Sequence, residues 1–359
     1  MLHWLTAFAA LSPAALTVRA QAVPVNDQGR LYWETYFPRA DVQSIRLSDI
    51  MTTDFRPVGE RRPWDGDGRQ LPVKYGDYRN WEMVPIEVWH SIGEYELQRL
   101  SERNGFNEEL VRRALGVEIP QRTEMMASAV YRRLELDYIE AWTAGQITVR
   151  NPQDGSTQVV SLQLTSGRIT TAGTAWNDGA VNGYDELVAW LRTGQDTIGP
   201  IEGVRLRRAT LSAIEADAPT NLVGMKMTTS EIAQRIGDFI QSPFRFEVIE
   251  DHFDRNTGAA QTWTATKNWP AQKVAAIPAG GAVGRSYFAQ VIRAAEIVGQ
   301  AAGVNTGIEL RGVTLFYFGE NGGKNLKIQA QLNALPIPDD QRVWVIDAGV
   351  SLLSFGGYQ

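Results

Sequence analysis

Four carboxylates near residue 250 are the side chains whose types and spacing best suit chemistry. They are Glu247, Glu250, Asp251 and Asp254, in a stretch that alternates like a strand. Paired Asp or Glu side chains perform glycoside hydrolysis, and the eleven tryptophans of the chain could stack on sugar rings. A solvated strand edge followed by a turn produces the same pattern far more often. We therefore interpret these carboxylates as structural and predict no catalytic residue among them.

Two glycine-containing motifs are similar to ligand loops but lack essential residues. The stretch Gly280–Ser286 resembles a phosphate-binding loop, yet Arg285 stands where that motif requires lysine. The stretch Asp65–Gly68 resembles a calcium loop, but Arg69 occupies the third ligand position and Gly76 replaces the closing glutamate. We predict a plain turn at each of these two places.

The usual metal ligands are also missing. There is no cysteine, which excludes disulfides and thiolate metal sites. The three histidines are far apart and show no ligand spacing such as HExxH. We predict no metal site, no cofactor and no enzymatic activity. The net charge of −6 also argues against a protein that grips nucleic-acid phosphates tightly.

One long amphipathic stretch organises the elements of this chain. We predict a helix over Gln121–Thr143, with Pro120 in its first turn and Gly145 as its stop. Its apolar residues fall on two faces, so it must be covered from two sides. One face carries Ala127, Val130, Tyr131, Leu134, Tyr138 and Ala141, and the other carries Met125, Ala129 and Leu136. Such a helix lies either between two layers of one domain or along a spine that neighbouring elements cover.

The composition of segment 52–82 differs from that of the rest of the chain, because this segment is rich in Arg, Asp, Gly and Pro. Its few aliphatic residues cannot bury enough apolar surface to fold it independently. A turn at Trp64–Gly68 lies between two extendable pieces. We predict a hairpin that docks on something else, or a disordered loop.

Two further regions contribute to the expected order of elements. The apolar run Leu5–Leu16 fits either a signal peptide or an amphipathic arm helix. Because it lacks Lys and Arg and contains Pro13, we favour the arm and expect assembled protein to begin at Met1 or Leu2. Helical patterns also cover Val88–Leu115, Tyr184–Thr193 and Thr229–Ile240, and strand patterns cover most of residues 146–164, 244–254, 259–267 and 313–347. The stretch VRLRRATLSAIEA at 204–216 predicts a strand that runs into a further helix.

Three segments, taken in order, resemble the lambda-type major head protein family of phages, which has the Hong Kong 97-type fold. They are ETYFPRADVQSIRLSDI at 34–50, AGTAWND at 172–178 and NALPIPDDQRVWVIDAG at 333–349. The resemblance implies an α+β capsid fold with an arm, an extended E-loop hairpin, a peripheral (P) domain with a spine helix, and an inserted axial (A) domain. The implied boundaries are 1–50 for the arm, 51–86 for the E-loop, 87–158 with 300–348 for the P-domain, 159–299 for the A-domain and 349–359 for a tail.

The resemblance implies a structural function. Hexamers and pentamers of this chain would build an icosahedral head around double-stranded DNA, which the subunits contact without sequence preference. Implied partners are further copies of the chain, a portal, a scaffolding protein and, as an option, a decoration protein, with no membrane. The implied location is the virion, and the host cytoplasm during assembly. The alternatives are an encapsulin-like compartment shell and a secreted carbohydrate-active protein.

The residues expected to make contacts between subunits combine forked arginines, broad aromatic rings and spine-helix carboxylates. The hairpin contributes Arg56, Arg61, Arg62, Trp64, Arg69, Tyr75, Tyr78, Arg79 and Trp81. The candidate acceptors on the spine helix of a neighbour are Glu135, Asp137 and Glu140.

Overall fold

The structure is a computed structural model. It describes residues 13–22, 31–50, 78–150, 156–220, 224–256, 263–289, 291, 305–306, 312–320 and 325–350. The helices are α1 Pro13–Gln21, α2 Trp33–Tyr36, α3 Glu94–Arg103, α4 Glu108–Ala144, α5 Gly183–Ile198, α6 Arg208–Asp217 and α7 Thr229–Ile240. The strands are β1 Arg39–Val42, β2 Arg46–Ile50, β3 Tyr78–Glu82, β4 Pro85–Ile92, β5 Gln146–Arg150, β6 Thr157–Ser161, β7 Ile169–Thr171, β8 Ile201–Leu206, β9 Arg245–Val248, β10 His252–Asn256, β11 Trp263–Lys267, β12 Lys273–Pro278, β13 Gly284–Ala289, β14 Asn305–Thr306, β15 Thr314–Glu320, β16 Asn325–Pro338 and β17 Val345–Asp347.

The long helix exists but begins earlier than predicted. Helix α4 has 37 residues, which at ~1.5 Å per residue gives about 55 Å. Its N-cap is Asn107, whose side chain accepts from two backbone N–H groups, and its stop is Gly145 in the left-handed region, φ 64°. The prediction that Pro120 lies in the first turn was wrong, because Pro120 is inside the helix. An internal proline costs about 3 kcal/mol in a bare helix, and here tertiary packing around the buried Pro120 and Ile119 outweighs that cost.

A six-stranded sheet packs on α4. Its order is β1-β13-β16-β15-β14, and β4 pairs with the first half of β16. The inward residues of β16 alternate along the strand, with Ile328, Ala330 and Leu332 fully buried in the main apolar core. The helical prediction for Val88–Leu115 was wrong at its start, because β4 is a strand that ends at Ile92. This stretch is a strand although its sequence also fits a helical pattern, because its backbone pairs with β16.

A five-stranded sheet forms the second layer, in the order β7-β17-β12-β8-β9. One face joins the main core through residues such as Ala275 and Ile277, and the other face is covered by α5, α6 and α7. Helix α7 begins with a capping box, in which Thr228 and Glu231 exchange side-chain and backbone hydrogen bonds. The predicted strand-to-helix passage into α6 and the predicted helix at α7 are both confirmed.

Three two-stranded hairpins complete the described elements: β2–β3, β5–β6 and β10–β11. The pairings within β5–β6 and β10–β11 match the alternation of the sequence. A third apolar cluster holds the β2–β3 and β5–β6 hairpins against α4 and β16 through Trp81, Ile147 and Leu335. None of the helices in the described ranges has the length and apolar content needed to cross a bilayer.

The helix α1 is part of the folded body. Leu16 and Ala20 are fully buried in the main core, and Arg19 Nε lies 3.7 Å from Glu124 Oε1 of α4. Residues 1–12 lie outside the described part of the chain, so the expected arm helix stays a prediction before Pro13.

The burial of α1 can be tested with two substitutions on that helix. Leu16→Ala removes a fully buried side chain, and we expect it to lower the free energy of unfolding by about 2–5 kcal/mol. Val18→Ala is the matched control, because Val18 is 55% exposed, and it should change stability by at most about 0.5 kcal/mol. Urea unfolding of both variants measures the difference, and equal midpoints would contradict the packing of α1.

Candidate functional site

The base of the predicted hairpin is anchored to the subunit's own body. Strands β2 and β3 pair antiparallel along their whole length. Trp81 is 5% exposed in the third apolar cluster, and Arg79 is 8% exposed with Nη2 3.9 Å from Asp340 Oδ2. The backbone N–H of Thr165 donates to Asp340 Oδ1 at 2.7 Å and so fixes that carboxylate. Arg79 and Trp81 therefore orient the hairpin from within the subunit.

The distal part of the hairpin lies outside the described residues, which resume at position 78. There the backbone of Tyr78 pairs with Ile50. The predicted contact residues outside the described ranges are Arg56, Arg61, Arg62, Trp64, Arg69 and Tyr75. Their contact with a neighbour stays a prediction.

Glu135 was expected to face a neighbour, but the structure places it inside the subunit. It is 2% exposed, and its Oε2 accepts from the backbone N–H groups of Tyr32 at 2.8 Å and Trp33 at 3.0 Å. Tyr138, one helical turn away, also donates to it. The physical reason is that the N-terminal segment 31–37 needs partners for the free N–H groups at the start of α2, and Glu135 supplies the acceptor.

Asp137 and Glu140 are also used within the subunit, because the β5–β6 hairpin covers their side of α4. Asp137 is 6% exposed and lies 2.6 Å from Arg133 Nη2. The same Arg133 nitrogen donates to the carbonyl of Thr148 at 2.7 Å, and Glu140 accepts from the N–H of Thr148 at 2.7 Å. Asp137 is thus enclosed within its own subunit, and the hydrogen bonds of Arg133 and Glu140 hold β5 on the helix. Contact of the half-buried Glu140 with a neighbour stays a prediction.

The sequence analysis missed Arg205, the most deeply buried cation in the described part of the chain. It is 0% exposed on β8, and its Nη1 donates to the hydroxyl of Tyr138. Its guanidinium carbon lies 4.3 Å from the ring centre of Tyr32 and 4.5 Å from that of Tyr36. The sequence did contain a signal for this residue, namely an arginine that alternates with apolar residues in Ile201–Leu206. A charged residue in such a strand is expected to lie inside the protein with partners of its own.

Burial controls the protonation of these carboxylates. Desolvation raises the pKa of Glu135 to about 8, although Arg205 and the two backbone donors oppose the shift. Desolvation likewise raises the pKa of Asp137 to about 7 against the attraction of Arg133. Desolvation is the largest cause of the raised pKa of Tyr36 as well, and the bond to Glu247 adds to it. Burial thus opposes ionisation of both carboxyl groups, and the neighbouring arginines favour it.

The carboxylates considered for catalysis take part in structural contacts. Glu247 accepts from the hydroxyl of Tyr36 and lies 3.1 Å from Arg245 Nη2. Glu250 accepts from the N–H of Arg208 at 2.9 Å, at the start of α6. Within the described ranges, no group of His, Asp and Glu side chains could hold a metal ion.

The glycine-rich stretch at 280–286 forms the turn that was predicted. Gly280 and Gly281 both have positive φ, 81° and 75°, and β13 follows directly. The N–H of Gly280 donates to Glu202 at 3.2 Å, so a carboxylate of the chain itself lies against this turn.

Large apolar side chains are exposed along α3, the first half of α4 and β4. Val117 is 57% and Met125 is 61% exposed on α4, and Phe106 in the turn before it is 72% exposed. Tyr95 on α3 is 74% exposed, and Trp89 on β4 is 58% exposed. We call these five residues the α3–α4 surface. Met125 was expected on the second apolar face of the helix, and the subunit leaves it uncovered.

Comparisons with known proteins detect the fold and not the sequence. No protein-family model and no curated protein matches the chain. A prophage protein of E. coli CFT073 assigned as a capsid protein aligns with 92% of this chain and 98% of its own, at 11% identity and TM-score 0.52. A phage-related protein of Bordetella bronchiseptica RB50 (14% identity, 93% and 97% covered) and a virus-like particle of Pyrococcus furiosus (10%, 92% and 98%) have TM-scores of 0.48 and 0.45. The first likeness shows that the two chains share one fold, which is mixed α/β with a long helix.

The raised pKa of Glu135 predicts how stability depends on pH. Between the ordinary glutamate pKa of 4.5 and the raised pKa of about 8, the Glu135 carboxyl of the folded chain holds a proton that the unfolded chain has lost. Stability therefore falls as pH rises through this window, by up to about 1.4 kcal/mol per pH unit for one group. Glu135→Gln keeps an acceptor oxygen without the titration, so its free energy of unfolding should vary less with pH between 6 and 8.

Urea unfolding at several pH values measures this difference. The control Glu124→Gln removes a half-exposed carboxylate on the same helix and should leave the pH profile of the original chain unchanged. Parallel stability curves for Glu135→Gln and the original chain would show that Glu135 is already ionised in the folded state.

Proposed function

We propose that this chain is a non-enzymatic major capsid protein, whose copies form the hexamers and pentamers of an icosahedral phage head around double-stranded DNA. The observation that carries the proposal is the capsid fold shared along 92% of the chain with the prophage protein. In this proposal the arm, E-loop, P-domain and A-domain follow the boundaries given above. The subunit acts in the virion after assembly in the host cytoplasm, with scaffolding, portal and optional decoration proteins as partners.

The shape of the described chain supports a role in assembly. The β2–β3 hairpin is two strands wide, anchored at its base by Trp81 and Arg79, and such a ribbon is marginal without further packing. A neighbouring copy is the natural source of that packing, because rings form when two different patches of one subunit meet. The loop 51–77 is the principal patch in this proposal, with its arginines and aromatic residues.

The site on the neighbour differs from the one first expected. Glu135, Asp137 and Glu140 serve their own subunit, so they are poor partners for an incoming loop. The α3–α4 surface offers uncovered apolar area instead, and aromatic side chains contribute more to such contacts than exposed ion pairs, which are worth at most about 1 kcal/mol each. We propose that Trp64 and Tyr75 pack against the α3–α4 surface of the next subunit.

The composition also suits a container for DNA. A net charge of −6 avoids the tight phosphate binding that would obstruct entry and exit of a packaged polyanion. The nucleic acid distinguishes this proposal from an encapsulin-like shell, which would carry a protein cargo. Particles isolated from infected or induced cells should contain nuclease-protected double-stranded DNA, and shells filled with an enzyme would favour the compartment.

Deleting residues 60–70 tests the assembly role of the loop. We expect a folded, soluble subunit with an unchanged unfolding midpoint that no longer forms closed shells, because the deletion removes Trp64 and three arginines from the contact. The control deletes residues 152–155, which connect β5 and β6, and should still assemble. Sedimentation velocity and negative-stain microscopy report the particles. Normal shells from the 60–70 deletion would refute the proposed role of the loop.

A further inference from the structure

Arg205 lies where three parts of the chain that are distant in sequence meet. It belongs to β8 of the five-stranded sheet, and its guanidinium contacts the Tyr138 hydroxyl on α4 and the rings of Tyr32 and Tyr36. Trp269 closes a further side, with its ring centre 5.5 Å from the guanidinium carbon. Arg205 therefore has contacts with the sheet, with the long helix and with segment 31–37.

Two carboxylates face this cation from opposite elements. Glu247 on β9 has its Oε2 3.6 Å from Arg205 Nε. Glu135 on α4 lies near the same cation, whose charge lowers the pKa of that carboxyl group against the effect of burial. The hydroxyls of Tyr32, Tyr36 and Tyr138 also interact with Arg205. The guanidinium thus lies close to a carboxylate of the sheet and bonds to the Tyr138 hydroxyl of the helix, with the Glu135 carboxyl group nearby.

Segment 31–37 bonds to both carboxylates. Its backbone N–H groups at Tyr32 and Trp33 donate to Glu135, and the hydroxyl of Tyr36 donates to Glu247. If the segment left, Glu135 would lose two donors, Glu247 would lose one, and Arg205 would lose two aromatic faces. A buried charge that loses its partners is strongly destabilising. Without the segment, the packing of the five-stranded sheet on α4 around Arg205 would therefore be destabilised.

We propose that Arg205 couples the seating of segment 31–37 to the docking of the five-stranded sheet on α4, so that each is stable only while the other is in place. The coupling is a property of the single subunit and goes beyond the proposed function, since it holds whether or not shells form. We call segment 31–37 a latch, because its position fixes the orientation of the five-stranded sheet on α4. Arg205 is a positioning residue in this arrangement.

Apolar packing around the segment does not by itself produce this coupling. Trp33 stacks on Tyr131 of α4 at a centroid distance of 6.3 Å and lies tilted against Phe288 of β13 at 5.4 Å. These contacts hold the segment on the six-stranded sheet side and do not involve β8 or β9. A substitution at Trp33 therefore disturbs the segment without touching Arg205, which allows a clean double-mutant cycle.

The experiment is hydrogen exchange of the full chain, followed by mass spectrometry of peptides that cover β8 and β9. Trp33→Ala should lower the protection of these strands by roughly 10- to 100-fold in the native background. In the Arg205→Met background, where the latch is already absent, the same substitution should lower protection by less than about 3-fold. Equal losses in both backgrounds would overturn the proposal.

Two further variants keep the test decisive. If Trp33→Ala does not fold, Tyr36→Phe replaces it, because it removes only the hydroxyl that donates to Glu247. Lys273→Met is the matched control for Arg205→Met, since Lys273 lies on the same sheet and pairs with Asp347 at 3.0 Å away from the segment. Its effect should add independently to that of Trp33→Ala, and coupling of the same size would show a general loss of stability instead of a latch.

Discussion

The constraint on which this structure depends is that α4 must be covered on several sides over a length of 37 residues. The six-stranded sheet covers one side, segment 31–37 and the five-stranded sheet close another, and the β5–β6 hairpin lies over its charged strip. Because every layer is held through this helix, elements as distant in sequence as α1 and β16 share one core. The helix is therefore the support for the whole subunit.

Helix α4 is not covered equally along its length. Its covered part contributes to the stability of the subunit, and its exposed part is available for association. Toward its C-terminal end α4 carries buried Tyr138 and Trp142, together with carboxylates that bond within the chain. Toward its N-terminal end it leaves Val117 and Met125 in solvent. A subunit that stabilises itself at one end and exposes apolar area at the other suits repeated association with copies of itself.

Periodicity predicted the elements that local sequence determines, and it failed where tertiary contacts decide. The helix at α7 carries its own capping box, and the β5–β6 hairpin its own alternation, so both followed from the sequence. The internal Pro120 misplaced the start of α4, because packing rather than propensity keeps that helix continuous. The partners of Glu135 lie more than 100 residues away, at Tyr32 and Trp33, and no local pattern shows them.

The central claim is that copies of this chain build a closed shell, and cryo-electron microscopy of the purified, assembled protein tests it most directly. The account predicts uniform particles with five-fold and six-fold capsomers, in which residues 51–77 of one subunit lie on the α3–α4 surface of the next. A monodisperse monomer at assembly concentrations would contradict the claim. Shells in which the α3–α4 surface stays in solvent would contradict the proposed contact.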